Sequence, residues 1–235
     1  MIQCISFYVF LALSTLYYFG GGIILLCFLS QEKVIEWAAH GWGTFNLKQA
    51  GITLEVVGKE NLDKRPAILV VNHQSMLDLF IMCALRPPKT LPVSKKSMRY
   101  IPLLGLFMKS AGVIFIDRYN PKKAMAAMKE TYEVVQKKGY SILMAPEGTR
   151  TKTGELSPLK KGAFYLALQT KLPMIPITLV NAFQLFPKSA WSPKPGSIQV
   201  FIDSPILTET WTEENLSFQI DNVRRIFLTH LSRTL

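Results

Sequence analysis

The chain has 235 residues, of which 49% are hydrophobic and 18% are charged. A chain of this length can form one sizeable α/β core with an appendage, and it excludes two ordinary domains in addition to a membrane anchor. Its formal net charge of +11 favours anionic lipid or a phosphorylated substrate over nucleic acid, because the basic and aromatic residues form no recognisable RNA- or DNA-binding motif.

The N-terminal end is apolar, with no charged side chain among the first 31 residues. The uncharged run Ile5–Phe28 would cover roughly 36 Å as a helix at about 1.5 Å per residue, which is enough to cross a bilayer core. Gly20, Gly21 and Gly22 interrupt this run, so two shorter helices that form a hairpin within one leaflet compete with a single span. A cleaved signal peptide is disfavoured, because no basic residue precedes the run and no small-x-small site follows it.

Charge divides the chain into two parts. Residues 1–58 have a net charge of −1 and are predicted to form a membrane-associating helical segment. Residues 59–235 carry 25 basic and 13 acidic side chains, a net charge of +12, and are predicted to form one domain. Three residues just beyond the apolar run resemble interfacial anchors, namely Lys33, Trp37 and Trp42.

From Lys59 onward, short apolar runs alternate with helical patterns, as in strand–helix units built on a largely parallel sheet. The predicted strands are Ala67–Val71, Leu91–Val93, Val113–Ile116, Ser141–Ala145, Met174–Val180 and Ser197–Ile202. The predicted helices are Pro121–Lys138, one that follows Lys161, and a final amphipathic one from about Glu214 to Ser232. We therefore expect a single-domain α/β fold with a largely parallel or mixed sheet flanked by helices.

Residues 72–78, Asn-His-Gln-Ser-Met-Leu-Asp, directly follow the first of these strands. Functional groups in open α/β sheets gather at the carboxyl ends of strands, so His73 is the candidate catalytic histidine. Two residues five positions apart on one helix are separated by about 140° around its axis. His73 and Asp78 can therefore meet only if His73 lies in a loop and the helix begins near Ser75, which is a good N-cap residue.

Two interpretations of this stretch compete. Ser75 and Asp78 alone fit a simple helix-capping box. If Asp78 instead holds one ring nitrogen of His73, it fixes the tautomer and makes His73 a competent general base. A serine hydrolase built on Ser75 is disfavoured, because that serine lies only two residues from His73 and no G-x-S-x-G motif occurs. No His, Cys or carboxylate cluster has metal-ligand spacing, so no metal site is predicted.

Four segments in chain order resemble the signatures of the glycerolipid acyltransferase family. They are Asn72-His73-x-Ser75-x-x-Asp78, residues 112–118 (Gly-Val-Ile-Phe-Ile-Asp-Arg), residues 146–150 (Pro-Glu-Gly-Thr-Arg) and residues 175–177 (Ile-Pro-Ile). Intervening family blocks also match at Ile101-Pro102-x-x-Gly105 and Lys160-Lys161-Gly162-Ala163-Phe164. One block departs from the family pattern, because Lys95-Lys96-Ser97-Met98 stands where an acidic residue commonly precedes leucine. Within the family, the likeness is to the enzymes that convert 1-acyl-glycerol 3-phosphate into phosphatidic acid.

The resemblance implies an acyltransferase domain at residues 59–235. In such a domain His73, assisted by Asp78, would deprotonate the sn-2 hydroxyl of lysophosphatidic acid, and the oxygen would attack an acyl thioester without an acyl-enzyme. The substrate-binding residues that it implies are Arg118, Glu147, Gly148, Thr149 and Arg150. The two arginines would bind the phosphate, Gly148 and Thr149 would form a tight turn, and Glu147 would contact the glycerol backbone or hold an arginine.

The resemblance also implies an acyl-coenzyme A or acyl-carrier protein co-substrate, no metal or organic cofactor, and a lipid bilayer as partner. Another lysolipid or glycerol 3-phosphate is an alternative acceptor. A non-catalytic anionic-lipid-binding membrane protein is a rival from another class, based on the apolar end and the basic domain. The chain has three cysteines, Cys4, Cys27 and Cys83, and they show no paired spacing. This predicts reduced thiols and a domain that faces the cytoplasm.

Overall fold

Helices and strands alternate along the computed structural model, which describes residues 2–117 and 131–232 except 133, 134 and 136. The helices are α1 (Ile2–Thr15), α2 (Gly21–Leu25), α3 (Gln31–Gln49), α4 (Leu77–Leu85), α5 (Leu104–Ser110), α6 (Gly162–Thr170), α7 (Ala182–Leu185) and α8 (Leu216–Leu231). A π-helical turn, Leu16–Gly20, joins α1 to α2, and short 3-10 helices occur at Lys59–Asp63 and Lys96–Tyr100. Arg118 and most of the predicted helix Pro121–Lys138 lie outside the described residues.

The described strands form one mixed sheet. They are β1 (Ile52–Val57), β2 (Ile68–Val71), β3 (Thr90–Lys95), β4 (Ile114–Ile116), β5 (Ser141–Met144), β6 (Met174–Val180) and β7 (Gly196–Ile202), in the spatial order β1-β7-β6-β2-β5-β3-β4. Every neighbouring pair is parallel except β6 and β7, which are antiparallel. The predicted α/β fold with a largely parallel sheet is confirmed, and all six predicted strands are found.

Strand β1 is a correction to the sequence analysis, which assigned residues 1–58 to a helical segment. Ile52–Val57 pairs in parallel with β7 along its whole length, so this stretch belongs to the sheet. Its burial alternates, with Ile52 buried and Thr53 and Glu55 exposed. Such period-2 alternation is the pattern of a half-buried strand. The sequence shows it as the alternation of apolar and polar residues at the start of this stretch.

Helices cover both faces of the sheet. Successive side chains of β2 point to opposite faces, and all of them are buried. Leu69 lies in the apolar core that contains Phe80 of α4, whereas Ile68 lies in the core that contains Phe164 of α6. Because β2 lies between β5 and β6 and is packed from both sides, the loop at its carboxyl end starts from a fixed position.

The N-terminal helices form a hairpin. The apolar run stays helical through Leu25, and the chain turns at residues 26–30 before α3 packs back against α1. Buried Ser14 and Asn46 hydrogen-bond across the hairpin, and Trp42 Nε1 donates to Thr15 Oγ1 at 3.1 Å. One helical stretch, Ile5–Leu25, is long and apolar enough to cross a membrane by length and composition. Whether it spans a bilayer or lies in one leaflet stays a prediction.

The glycines of this region permit close packing, and the chain stays helical through Gly20–Gly22, where the π-helical turn Leu16–Gly20 joins α1 to α2. Gly20 and Gly21 have ordinary helical dihedrals. A Cβ on Gly22 would lie 2.9 Å from the ring of Phe107, and one on Gly43 would lie 2.5 Å from the backbone oxygen of Phe80. Helices α3 and α4 therefore approach closely only because residue 43 lacks a side chain.

The predicted interfacial role of Trp42 is wrong. Its side chain is only 3% exposed and packs edge-on against Phe80, with ring centroids 4.9 Å apart. Trp37, by contrast, is partly exposed and lies against Tyr17 and Tyr18 at centroid distances of 5.8 and 5.2 Å. The two tryptophans lie five positions apart on α3, so they face different sides of the helix.

Candidate active site

The side chain of Asn72 extends the hydrogen-bond pattern of the sheet beyond the carboxyl end of β2. Asn72 is fully buried; its Oδ1 accepts the backbone N–H of Leu179 at 2.7 Å, and its Nδ2 donates to the carbonyl of Leu179 at 3.0 Å. The carboxamide thus pairs with β6 as another backbone peptide would. The main chain after Asn72 is free to leave the sheet, which places His73 in a loop before α4, as the spacing predicts.

Asn72→Ala is expected to lower the free energy of unfolding by on the order of 2 kcal/mol, because the buried N–H and C=O of Leu179 would both lose a partner. Chemical denaturation would measure this loss. Asn72→Asp, which keeps the acceptor and places an oxygen opposite the Leu179 carbonyl, should destabilise the protein as well. An unfolding free energy equal to that of the wild type in both variants would contradict the assignment.

His73 and Asp78 form the pair that the spacing predicts. Nδ1 of His73 lies 2.9 Å from Oδ2 of Asp78. The Asp78 side chain is buried, whereas that of His73 is 27% exposed. An ionised carboxylate can only accept a hydrogen bond, so Nδ1 carries the proton and Nε2 keeps a lone pair. Within the described part of the chain Nε2 has no hydrogen-bond partner, which leaves it available to a substrate hydroxyl.

The same carboxylate also caps α4. Oδ2 of Asp78 accepts the backbone N–H groups of Gln74 at 2.7 Å and Ser75 at 2.9 Å, while Oγ of Ser75 accepts the N–H of Leu77 at 3.1 Å. The contact of Asp78 with the Ser75 N–H is one half of a capping box, whereas Oγ of Ser75 bonds the N–H two residues on instead of three. The competing interpretations of this motif therefore coincide, because one oxygen caps the helix and orients the histidine.

Glu147 holds the His73 backbone from the neighbouring strand, β5. Its buried carboxylate accepts the His73 N–H through Oε1 at 2.6 Å and the Ser157 N–H through Oε2 at 2.8 Å. Thr151 N–H donates to the His73 carbonyl at 3.2 Å, so both backbone groups of His73 are held. Burial raises the pKa of the Glu147 carboxyl, against the lowering effect of the two N–H donors. Glu147 is thus a positioning residue, and its predicted contact with substrate or arginine stays a prediction.

The turn after Glu147 brings a lysine close to the site. Gly148 has φ +73°, in the left-handed region that favours glycine. A Cβ at this position would lie 3.1 Å from Cδ, Cε and Nζ of Lys160, so the lysine side chain lies across the turn. Lys160 is further tied to the motif because its backbone N–H donates to the Pro146 carbonyl at 2.8 Å. Lys160 therefore lies beside the Pro146–Arg150 motif, where its positive charge can add to that of Arg150.

Arg150 is held near His73, because the N–H of the next residue, Thr151, donates to the His73 carbonyl. The side chain of Arg150 is half-buried, and that of Thr149 is exposed. Within the described ranges the Arg150 guanidinium makes no ion pair, so it is available for an anionic group. Arg118 lies outside the described residues, and its role stays a prediction.

Two contacts behind the site were missed by the sequence analysis. Gln74 Nε2 donates to the Gly154 carbonyl at 2.8 Å. Arg224 of α8 donates to the carbonyls of Ser157 at 2.9 Å and Leu156 at 3.1 Å, so it holds the segment that Glu147 binds. An arginine on the polar side of a terminal helix carries no signal that it reaches back to this loop.

A cavity of about 520 Å³ lies away from this site. Its lining includes Thr90 and Ile114, which start β3 and β4, and it also includes Arg86 and Lys89. His73, by contrast, follows the carboxyl end of β2. Because β2, β5, β3 and β4 are mutually parallel, Thr90 and Ile114 lie at the opposite edge of the sheet from His73; the lining also includes Arg99 and Lys109, which follow β3 in the chain. No group of metal-ligating side chains occurs among the residues that the structure describes.

Comparisons with known proteins agree on one family. The acyltransferase family model matches residues 53–180, which is more than half of the chain. A 1-acyl-sn-glycerol-3-phosphate acyltransferase of Saccharomyces cerevisiae is 35% identical over 223 residues, covering 93% of this chain and 74% of the relative. A protein of the same description from Limnanthes alba is 33% identical over 235 residues, covering 98% of this chain and 83% of the relative.

A solved structure shows the same fold. The crystal structure of the 1-acyl-sn-glycerophosphate acyltransferase PlsC from Thermotoga maritima matches with a TM-score of 0.81 at 24% identity. The match covers 99% of this chain and 94% of that protein, so it includes the N-terminal helices as well as the sheet. The arrangement of the hairpin beside an α/β sheet is therefore shared with that structure.

Proposed function

The chain belongs to the acyltransferase family, and we propose that it transfers a fatty acyl group from an acyl thioester to the sn-2 hydroxyl of lysophosphatidic acid, giving phosphatidic acid. The observation that carries this proposal is the His73–Asp78 pair, with Nδ1 held at 2.9 Å and Nε2 on the exposed side of the ring. The named relatives from Saccharomyces cerevisiae and Limnanthes alba support the choice of acceptor.

His73 supplies the proton transfers in this reaction. Nε2 takes the proton of the acceptor hydroxyl as its oxygen attacks the thioester carbonyl, and Asp78 stabilises the imidazolium that forms. The tetrahedral intermediate then collapses with breakage of the carbon–sulfur bond. The proton returns from Nε2 to the departing thiolate, so the products are an ester and a free thiol. The histidine ends in its starting state, and no acyl-enzyme is formed.

The acceptor phosphate is assigned to the cations around the Gly148 turn. Arg150 makes no ion pair within the described ranges, and Lys160 lies across the turn. A planar guanidinium can bind a phosphate monoester through two parallel hydrogen bonds, whereas an ammonium group adds a point charge. Arg118 is proposed as a second guanidinium ligand from its place in the family signature. Such a site selects a phosphorylated lysolipid over an uncharged one.

The deciding experiment is an acyl-transfer assay with purified full-length protein. Lysophosphatidic acid, glycerol 3-phosphate and lysophosphatidylcholine would each be offered with acyl-coenzyme A and with acyl-carrier protein thioester. The expected product is phosphatidic acid, formed fastest from lysophosphatidic acid and unaffected by a metal chelator. Equal rates on all three acceptors, or no transfer from either donor, would overturn the proposal. The donor comparison also decides which thioester serves as co-substrate.

Arg150→Ala is expected to lower kcat/KM for lysophosphatidic acid. The loss should correspond to about 2–3 kcal/mol of transition-state stabilisation, the usual scale of a lost charge-assisted hydrogen bond. Steady-state kinetics with varied acceptor would measure the loss. Arg225→Ala, which removes an exposed arginine of α8, serves as a control for net charge. If both variants keep wild-type kinetics, Arg150 does not bind the phosphate.

The protein is proposed to act at a membrane with its α/β domain in the cytoplasm. The apolar helical stretch Ile5–Leu25 supports membrane contact, and the unpaired cysteines support a reducing compartment. Cys27 is exposed and Cys83 lies against α3, where burial raises the pKa of its thiol to about 11. Such a thiol is protonated at neutral pH and fits a structural role.

A further inference from the structure

The α/β domain exposes apolar side chains of its own beside the N-terminal hairpin. Tyr100 is 70% exposed, Leu106 is 58% exposed, and Ile101 is also exposed. They lie in the interfacial segment, which we define as residues 95–110 and which contains the end of β3, the 3-10 helix Lys96–Tyr100 and α5. Isolated exposed apolar residues are normal on a protein surface, but neighbouring ones next to another apolar surface indicate a contact region.

This segment packs directly on the hairpin. The rings of Phe107 and Phe19 stack with centroids 4.6 Å apart. The side chain of Leu103 approaches to 3.8 Å from the position that a Cβ on Gly20 would occupy, and Gln31 Nε2 donates to the Ser110 carbonyl. The interfacial segment therefore adjoins the helical stretch that is apolar enough to cross a membrane.

The exposed apolar side chains of the hairpin extend this surface. On the helical side they include Leu13, Leu16, Tyr17 and Ile24, with exposures between 57% and 65%. Leu16 and Leu103 both lie beside Gly20, so the two sets of side chains meet at this glycine. One apolar surface thus runs from the hairpin onto the α/β domain.

Cations flank the apolar residues of the segment. Residues 95–110 contain four basic side chains and no acidic one. Lys95, Arg99 and Lys109 are exposed, while Lys96 lies 3.7 Å from Asp117. Aromatic and aliphatic side chains bordered by lysine and arginine are typical of elements that lie at an anionic membrane surface.

We propose that the interfacial segment is a second membrane-binding element, which inserts Tyr100, Ile101 and Leu106 at the bilayer surface while the positive charge of its four basic residues attracts anionic headgroups. Its occupant is an anionic lipid bilayer, because the segment is continuous with the apolar hairpin and carries only positive charge. This binding surface does not depend on the proposed acyl-transfer function.

The proposal also fixes the orientation of the sheet. The segment begins at the carboxyl end of β3, and His73 follows the carboxyl end of β2. Both strands run parallel to β5, so these ends lie at the same edge. A bilayer that touches Tyr100, which ends the 3-10 helix that follows β3, is therefore on the side of the sheet edge that carries His73, whereas α5 leads from that edge toward the start of β4. The acceptor hydroxyl of a lipid can then meet Nε2 without leaving the interface.

Depth-dependent fluorescence quenching tests this surface directly. A full-length chain with Cys4→Ser, Cys27→Ser and Cys83→Ala would carry a single environment-sensitive probe at Leu106→Cys, or at Leu207→Cys as a control. Leu207 is 68% exposed and lies outside the segment. In vesicles of phosphatidylcholine and phosphatidylglycerol, a quencher on the lipid chains should reduce emission severalfold more at position 106 than at position 207.

Equal quenching at the two positions would overturn the proposal, since the segment would then lie no closer to lipid than a remote surface. A concentration-dependent blue shift of the position 106 probe in detergent without lipid would also overturn it, because a second copy of the chain would then cover the segment. Arg99→Gln with Lys109→Gln should weaken quenching at position 106 in anionic vesicles and leave it unchanged in neutral ones.

A matched pair of variants provides an independent measurement. Tyr100→Ser with Leu106→Ser should lower the fraction of protein bound to anionic vesicles, whereas Leu207→Ser with Phe218→Ser should leave it unchanged. All four side chains are well exposed, with Phe218 at 63%, so folding is not expected to change. Equal binding of both double variants and the wild type, with equal lipid quenching, would assign membrane contact to the hairpin alone.

Discussion

Replacing His73 with alanine is expected to lower kcat about 10²–10⁴-fold, the range that a positioned general base typically contributes. The loss is expected because, in the proposed reaction, Nε2 takes the proton from the acceptor hydroxyl. The imidazole is partly exposed and its backbone is held independently by Glu147 and Thr151, so the variant should keep its fold. Rates of phosphatidic acid formation under saturating donor and acceptor would measure the effect, with circular dichroism as a check on folding.

The chain contains a matched control for this experiment. His230 also pairs with an aspartate, since its Nε2 lies 3.0 Å from Oδ1 of Asp203, and its ring stacks on Phe201. His230→Ala removes a histidine–aspartate pair of the same kind at a position on α8. It should reduce stability and leave kcat of the folded protein unchanged. Near wild-type turnover in a folded His73→Ala protein would exclude His73 as the base.

Asp78→Asn is expected to lower kcat by roughly 10²–10⁴-fold as well, because the corresponding change in Ser-His-Asp enzymes costs about 10⁴-fold. An amide group keeps the shape of the carboxylate but loses the charge that stabilises the imidazolium. Because Oδ2 accepts Nδ1–H and the N–H groups of Gln74 and Ser75, the amide oxygen is expected in that position, so the ring keeps its tautomer and the loss of charge lowers the rate. Single-turnover rates would measure the chemical step.

The Asp78 variants also separate orientation from capping. Asp78→Ala removes the acceptor for the N–H groups of Gln74 and Ser75, so it should lower the free energy of unfolding as well as the rate. Asp78→Asn keeps an oxygen for these N–H groups and should lower mainly the rate. The downfield proton resonance of Nδ1–H should be lost in Asp78→Ala. A resonance and rate that match the wild type in Asp78→Asn would mean that the carboxylate serves only the helix.

Most of the sheet and the His73–Asp78 contact follow from local patterns, so they could be predicted from the sequence. Strand β2 is a short apolar run, and His73 comes directly after it. The five-residue spacing to Asp78 admits one geometry, a loop followed by a helix start, and the structure has it. Such inferences succeed because they need only backbone periodicity and the reach of one side chain.

The parts that were missed depend on contacts between distant segments. Strand β1 was overlooked because its partner β7 lies more than 140 positions away. Arg224 and Glu147 hold the loop through backbone groups of other segments, and no spacing rule connects them to His73. Pro176 lies in β6, which is flanked by β2 and β7. Proline is tolerated there in a central strand, a position that its missing N–H usually excludes.

The glycines illustrate the same limit. The triplet Gly20–Gly22 suggested a bend because glycine lowers helix propensity. In the structure the chain stays helical to Leu25 after the π-helical turn Leu16–Gly20, and Gly22 lies against the ring of Phe107. A propensity argument cannot reveal a partner that comes from α5, more than 80 positions further along the chain.

The Asn72–Leu179 and His73–Glu147 contacts join residues 107 and 74 positions apart, respectively. Bringing such distant segments together requires closing long loops, whose entropy must be overcome before the contacts stabilise anything. The histidine is therefore held in its working position only after β5 and β6 have joined β2. An incompletely folded or prematurely ended chain contains His73 but lacks the contacts that position it. The proposed acyl-transfer activity is thus expected of the finished fold alone, and incomplete chains should lack it.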